Sequence, residues 1–453
     1  MGRVPTGEGL TALPRITSFV VRMNPTGGRR NGVEAAEDHA VRTGRRDLLR
    51  DLNQTLVLNL VREHGPVSRA DLARLAGLSP STVTDITAQL VAEGWLLEDA
   101  QSSSGAVGRP ATLLSVDPEA GHVVGIKLAA DSLTAAVTNL TAEPLGVVRL
   151  AHLPEADAAT VSELFESAVR RVVDAAGIDD GSLLGLGIGV PGMVAPGSTV
   201  VADSPLAAWT GVDLVETLGT RLDLPVFLDN DVNTLTIAEQ LYGAGRGLPH
   251  FVTVTVGRGI GMGAVVNGVV DRGARGGAGE LGHVQVADGP ECWCGLRGCL
   301  EAVAAEPAIV RDVLAATDRL VSPDELASIA ADDPRVRAIV EQAGRLVGRA
   351  ISAVATVLDP SRVIVSGEGV RLGEVYLHAI RAGFHEHRRP ADPTELVIEP
   401  WGDEAWARGA ATLVLRELFH PAHLRDEDAA LARPGPESGI VRRLARAGRG
   451  GRR

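Results

Sequence analysis

All three cysteines of the chain, Cys292, Cys294 and Cys299, fall within eight positions, and His283 stands just upstream. Three thiolates and one imidazole suit a tetrahedral zinc with no open position, a site that holds structure and does no catalysis. A disulfide framework fits poorly, because three cysteines leave one over. Carboxylates and amides gather in two further places. Leu228-Asp229-Asn230-Asp231-Val232-Asn233 follows an apolar run, where a strand would end and open α/β sheets usually place their ligands. The same residue types also make plain turns. Glu280 lies three residues before His283, and Glu301 two after Cys299, so these acids share a stretch of chain with the metal set. Carboxylates and amides accept and donate at fixed angles, which suits a ligand bearing several hydroxyls. With one nitrogen of His283 on zinc, the other is free for such a hydroxyl. A surface charge cluster is the competing reading of these acids.

Gly-Glu-Leu-Gly-His (Gly279 to His283), followed by Cys-Trp-Cys-Gly-Leu-Arg-Gly-Cys-Leu-Glu (Cys292 to Glu301), resembles the signature of the ROK family, with a slightly shorter gap between His283 and Cys292. That family groups bacterial sugar kinases with sugar-responsive repressors of the NagC/XylR/Mlc type. The resemblance covers residues 121–420 and implies two actin-like lobes with a sugar cleft between them. It places Asn230 and Asp231 on the family's sugar-contacting pair, with Asp231 also on the kinases' catalytic base. Glu280, His283 and Glu301 match the remaining sugar contacts. The kinases open this fold with an Asp-x-Gly-Gly-Thr phosphate turn. In the matching stretch Lys127 replaces the aspartate, Ala129 and Ala130 replace the glycines, and Asp131 replaces the threonine. A carboxylate there repels phosphate, and each Cβ crowds its approach. The second loop, Gly257 to Gly263, keeps its glycines but carries Arg258 where threonine is usual. The resemblance thus implies a non-enzymatic body that senses sugar and has lost ATP-dependent phosphotransfer. The alternative is an ATP-dependent, glucokinase-like enzyme with an accessory N-terminal module.

These residues need elements to position them. A length of 453 residues predicts two or three units. Residues 1–45, rich in Gly, Pro, Arg and Thr, predict a flexible tail in which Met23 is a second candidate start, and residues 421–453 predict another. Residues 46–117 predict a winged helix-turn-helix. Its first helix runs from about Arg46 to Glu63, with Leu49, Leu52, Leu56, Val57 and Leu60 on one face, and Gly65-Pro66 stops it. Ser68-x-x-Asp71 is a capping box opening a short helix with Leu72 and Leu75 inward, which Gly77 ends. Ser79 and Pro80 start a third helix that Gly94 closes, with Val83, Ile86, Leu90 and Val91 inward. Its polar side, with Ser79, Ser81, Thr82, Thr84, Asp85 and Gln89, is the predicted major-groove surface, and Arg109 in the wing is the predicted minor-groove contact. Residues 118–420 alternate helical patterns with apolar runs at 123–128, 135–140, 184–190, 226–229, 251–256 and 363–366, which predicts α/β layers.

A net charge of −13 excludes a general nucleic-acid-coating protein but not a small DNA-reading head on an acidic body. Residues 41–117 hold eight arginines against nine acidic residues, so such a head depends on hydroxyls, helix N-termini and a few arginines. A three-helix module that binds protein is the alternative. No apolar run is long enough to span a membrane and no secretory pattern opens the chain, which predicts a cytoplasmic protein. The expected partners are a sugar or sugar-derivative effector and a palindromic operator DNA, read by a homodimer or a dimer of dimers.

Overall fold

The computed structural model describes residues 50, 52–99, 111–129, 132–151, 158–204, 210–389, 392–399 and 403–419. Both predicted tails, the wing tip with Arg109, and the pair Ala130 and Asp131 lie outside the described residues.

A helix over residues 52–64 (α1) leads to β1 (Val67–Ser68), α2 (Arg69–Ala76), α3 (Pro80–Ala92), β2 (Leu96–Asp99) and β3 (Leu113–Val116). The strands pair antiparallel in the order β1-β3-β2, the sheet of a winged helix-turn-helix. Side-chain caps set the helix starts. Ser68 accepts from the backbone N–H of Asp71 at 3.2 Å and donates its hydroxyl to the Asp71 carboxylate at 2.8 Å. Ser79 accepts from the N–H of Thr82 at 3.2 Å, with Pro80 in the first helical position. Gly77 and Gly94 end α2 and α3 with φ of 64° and 82°, a region that penalises a Cβ. Val83, Ile86 and Leu90 face the core as expected, joined by Leu72, Trp95, Leu96, Leu114 and Val116.

Two expectations shift. Leu56 and Leu75 are each 39% exposed; Val57, Leu58 and Val61 form the buried stripe of α1, and Ala73 accompanies Leu72 on α2. The stripe of α1 is turned because this helix has a second partner, the body, where the Arg62 side chain reaches the carbonyl of Leu241 at 3.2 Å.

The body uses one sheet plan twice. In the first lobe β4 (His122–Leu128), β5 (Ser132–Thr138) and β6 (Pro144–Ala151) run antiparallel. β7 (Leu183–Val190) then pairs parallel with β4, and after a hairpin of β8 (Met193–Val194) and β9 (Val201–Asp203), β10 (Val226–Asn230) pairs parallel with β7. In the second lobe β11 (Phe251–Val256), β12 (Ile260–Val266) and β13 (Val269–Asp271) are antiparallel, and β14 (Arg362–Ser366) and β15 (Glu395–Ile398) are added parallel. The orders are β10-β7-β4-β5-β6 and β13-β12-β11-β14-β15. Counted within each lobe, both read third, second, first, fourth, fifth, which is the actin-like duplication. Each apolar run singled out in the sequence overlaps one of these strands. The inner strands β4, β5, β7 and β11 are buried almost throughout, so they read as continuous apolar runs, whereas edge strand β6 alternates.

α4 (Ala158–Ala176) and α5 (Leu214–Leu222) cover one face of the first sheet, packed on Val124, Ile126 and Leu186. α6 (Asp231–Tyr242) follows β10 directly. α7 (Leu300–Ala304), α8 (Glu306–Thr317), α9 (Pro323–Asp332), α10 (Pro334–Leu358) and α11 (Glu374–Glu386) belong to the second lobe. α12 (Asp403–Phe419) returns to the first sheet and packs on its other face. A Cβ on Gly125 would lie 2.0 Å from the carbonyl of Ala407, and one on Gly187 1.9 Å from that of Ala410, so glycine is required for this approach. Among the described residues, no helix is long and apolar enough to cross a membrane.

Candidate functional site

The cleft between the lobes has a volume of about 890 Å3 and gathers residues from both. Its floor is the junction of β10 and α6. Asn230 ends the strand and caps the helix, its side-chain oxygen accepting from the N–H groups of Val232 and Asn233 at 2.9 and 3.2 Å while its amide donates to the carbonyl of Gly192 at 3.0 Å. Much of its hydrogen-bonding capacity therefore fixes the turn. Asp229, one residue earlier, points the other way into a buried ion pair: Arg272 donates to it from Nε at 2.9 Å and Nη2 at 2.6 Å, and Asn233 adds a bond at 3.0 Å. Sequence reasoning did not find Arg272, since 43 residues separate it from Asp229 and no local pattern links them. The effect is a rigid mount for Asp231, the first residue of α6, whose carboxylate lines the cleft. Burial pushes the Asp231 carboxyl above the ordinary range; Lys127 opposes that shift and Glu368 adds to it.

The opposite wall carries the cysteines. His283 ends a short 3-10 turn, and Cys299 directly precedes α7. His283 Nδ1 lies 3.5 Å from Cys292 Sγ, Cys294 Sγ lies 3.7 Å from Cys299 Sγ, and all four candidate ligand atoms fall within 4.8 Å of one another. Tetrahedral zinc, with bonds of about 2.3 Å to sulfur and about 2.0 Å to nitrogen, sets ligand atoms roughly 3.5–3.8 Å apart, so the donor set fits that metal. The loop is possible because Gly298 takes φ 69° at a point where a Cβ would sit 1.7 Å from the carbonyl of Ala287.

The same loop aims side chains into the cleft. Trp293 donates from Nε1 to Glu301 Oε1 at 2.7 Å, and Glu301 Oε2 accepts from the N–H of Ile260 at 3.0 Å. The Trp293 ring meets the His283 imidazole edge-on, with centroids 4.8 Å apart. Glu280 Oε2 lies 3.6 Å from His283 Nε2, the nitrogen not turned toward the thiols. Burial raises the pKa of Glu280, partly offset by His283 and reinforced by Glu301, Asp203 and Asp231. The structure thus brings Asn230, Asp231, Glu280, His283 and Glu301 into one cleft and adds Asp203 and Trp293, which sequence reasoning did not assign.

In the same cleft, Lys127 is not a solvated lysine, and its charge is already matched. Its ammonium donates to Glu368 Oε1 at 3.0 Å and sits 3.7 Å from the centre of the Trp406 ring. Burial favours the neutral form of Glu368, but the charge of Lys127 prevails and holds its carboxyl below the ordinary range. The pair joins β4 of one lobe to the 3-10 helix over Glu368–Leu372 that follows β14 of the other. Arg258, on the glycine-rich loop, is exposed.

On the head, Ser81, Thr84 and Asp85 of α3 are exposed, with Thr82 and Gln89 half-buried beside them, so the predicted polar face exists. Ser79 bonds the hydroxyls of Ser81 and Thr82 at 2.9 and 2.7 Å, and Thr84 returns its hydroxyl to the carbonyl of Pro80 at 2.8 Å. Arg69 ties α2 to α3 and the wing through Thr87 at 2.8 Å and through Glu98.

The family model described as ROK family matches residues 123–417, and that described as MarR family matches residues 51–98. The chain is 30% identical over 394 residues to the N-acetylglucosamine repressor of Escherichia coli O6:H1, covering 83% of this chain and 95% of that protein. It is 28% identical over 398 residues to the xylose repressor of Caldicellulosiruptor bescii, covering 83% and 98%. The crystal structure of a ROK family transcriptional regulator, a homolog of the E. coli MLC protein, superposes with a TM-score of 0.72 at 26% identity, covering 88% of this chain and 99% of that one.

Proposed function

This chain belongs to the ROK family, and we propose that it is a sugar-responsive transcriptional repressor of carbohydrate-utilisation genes. In this reading the MarR-like head binds operator DNA, and the kinase-like body holds a sugar effector without phosphorylating it. The observation that carries it is the contrast between two groups of cleft residues. Converging carboxylates stand on a rigid mount, whereas the lysine in the phosphate-turn stretch is paired with Glu368 across the lobes. A phosphate arriving there meets Glu368 and a lysine whose charge is already matched.

Asp231, Glu280, His283, Glu301 and Asn230 contact the sugar hydroxyls. His283, Cys292, Cys294 and Cys299 hold a structural zinc, which fixes the loop carrying Trp293 and the start of α7. Ser79, Ser81, Thr82, Thr84, Asp85 and Gln89 face the major groove, and Arg109 reaches the minor groove. The protein acts in the cytoplasm as a homodimer or dimer of dimers on a palindromic operator.

The test titrates the zinc-loaded protein calorimetrically with N-acetylglucosamine, xylose and glucose, with and without ATP, and repeats it with bound operator DNA. A sugar that binds equally well with and without ATP, gives no turnover, and weakens operator binding is the expected result. Turnover on adding ATP would return the chain to the kinases, a reading that Asp231 and the retained glycines from Gly257 to Gly263 keep in view.

Trp293 supplies a further expectation. Trp293→Phe keeps an aromatic ring but removes the N–H that orients Glu301. A charge-assisted hydrogen bond contributes about 1.5–3 kcal/mol, and the Ile260 bond remains, so sugar affinity falls by roughly tenfold with zinc content unchanged. Unaltered affinity would remove Trp293 from the site.

A further inference from the structure

α6 begins in the cleft and ends against the head. At its start, Asn230 caps it and Asp231 occupies its first position. It spans 12 residues, about 18 Å at the rise of an α-helix. Val232 to Glu239 and Leu241 are all buried, so it is a rod held on every side. It packs on α12 of the first lobe and on β11 and β12 of the second. Contact with β12 is close: a Cβ on Gly263 would lie 2.1 Å from Thr236 Oγ1, and one on Gly261 2.6 Å from Val232 Cγ2. A movement of the second lobe is therefore transferred to α6, because packed groups this near cannot absorb it.

At its far end the head takes hold. Arg62 of α1 donates from Nη1 to the carbonyl of Leu241 at 3.2 Å, and its guanidinium lies 5.9 Å from the Tyr242 ring centre and 5.4 Å from that of Phe419. Within α1, the same guanidinium bonds Asn59 at 2.9 Å and Glu63 at 3.1 Å, so it is a fixed fork and not a loose side chain. Arg246, just past α6, donates to the carbonyl of Glu63. Tyr242 donates to the carbonyl of Leu140 at 3.0 Å, and the N–H of Leu140 bonds the carbonyl of Pro118, two residues beyond the last wing strand. The buried apolar cluster of the head is continuous with Ile237, Leu241 and Phe419 of the body.

We propose that Arg62 is the positioning residue through which the sugar cleft governs the DNA-reading head, by gripping the C-terminal end of the helix whose N-terminal end forms the sugar site. The proposal rests on the repressor reading above and names its route of regulation. Sugar on Asp231 and lobe closure bias α6; Arg62 and Arg246 pass that bias to α1, and α1 to the orientation of α3.

The experiment uses the full chain, duplex DNA selected from random sequence by the sugar-free protein, and N-acetylglucosamine, xylose and glucose as probes. Wild type, Arg62→Lys and Arg246→Ala are compared for sugar affinity, for DNA affinity without sugar, and for the change in DNA affinity when sugar is added. Arg62→Lys keeps the charge and loses the fork; Arg246 is exposed, so its removal keeps the test available if the first variant folds poorly. In the wild type, sugar weakens DNA binding by about tenfold or more, a typical coupling. Both variants keep each separate affinity within about twofold, but their response falls below about twofold. Sugar also changes amide exchange over residues 52–64 in the wild type and no longer does so in the variants. A full response in both variants overturns the proposal, as does loss of DNA affinity without sugar, which marks a merely structural role. If no sugar moves the wild type, the repressor reading falls first and the route with it.

Discussion

Asp231→Ala lowers affinity for the effector sugar by about 100-fold and abolishes its effect on operator binding, while the sugar-free protein binds operator within about twofold of wild type. Charge-assisted hydrogen bonds to a sugar are worth about 1.5–3 kcal/mol each, and a carboxylate mounted as this one is can make two. The exposed polar face of α3 is untouched by the change. Asp231→Asn isolates the charge, because the amide oxygen can still accept from the N–H of Val232 as the carboxylate does at 2.9 Å. Burial raises the Asp231 carboxyl, so the folded protein takes up this proton more readily than the unfolded chain does. The ionised group thus costs stability at neutral pH, and the cost disappears as pH falls through the raised pKa. Asp231→Asn should accordingly melt above wild type near pH 7, with the gap closing in acid, even as it binds sugar poorly. Calorimetric titration and thermal unfolding across pH read both effects. Normal sugar affinity in Asp231→Ala would remove this residue from the site.

Cys294→Ser removes zinc and lowers the melting temperature by on the order of 10 °C. A structural metal contributes folding free energy outright, and in a domain of this size each kcal/mol moves the midpoint by about 2–4 °C. Sugar affinity falls too, by about tenfold or more, since His283, Trp293 and Glu301 take their positions from this loop. Zinc analysis of the purified protein and melting curves with and without a chelator provide the check. A wild type that melts unchanged after chelation, or a variant that keeps one zinc per chain, would sink the assignment.

What the sequence disclosed was the short-range chemistry. The cysteine loop, the capped helices of the head and the buried strands each follow rules that act over a few residues, and each stands where those rules put it. The longer couplings were hidden. Asp229 and Arg272 meet across 43 residues, and Lys127 and Glu368 across 241, with nothing in either segment to announce the other. α1 shows the same limit: Val57 and Leu60 pack on the core as their spacing predicts, but the helix is covered from two directions, and only the fold supplies the second, where Leu58 and Val61 are buried and Leu56 is not.

The contact between Lys127 and Glu368 bears on history as well as on mechanism. On the reading that phosphotransfer has been lost, regaining it requires an aspartate at the head of the phosphate turn. Lys127→Asp alone sets that carboxylate against Glu368, with Asp231 nearby, in a poorly solvated cleft, and strips the cation from above Trp406. Changing Glu368 first leaves the ammonium half-buried and without its partner. On that reading, either single change at the pair begins with a loss, so in this chain the two residues hold each other in place.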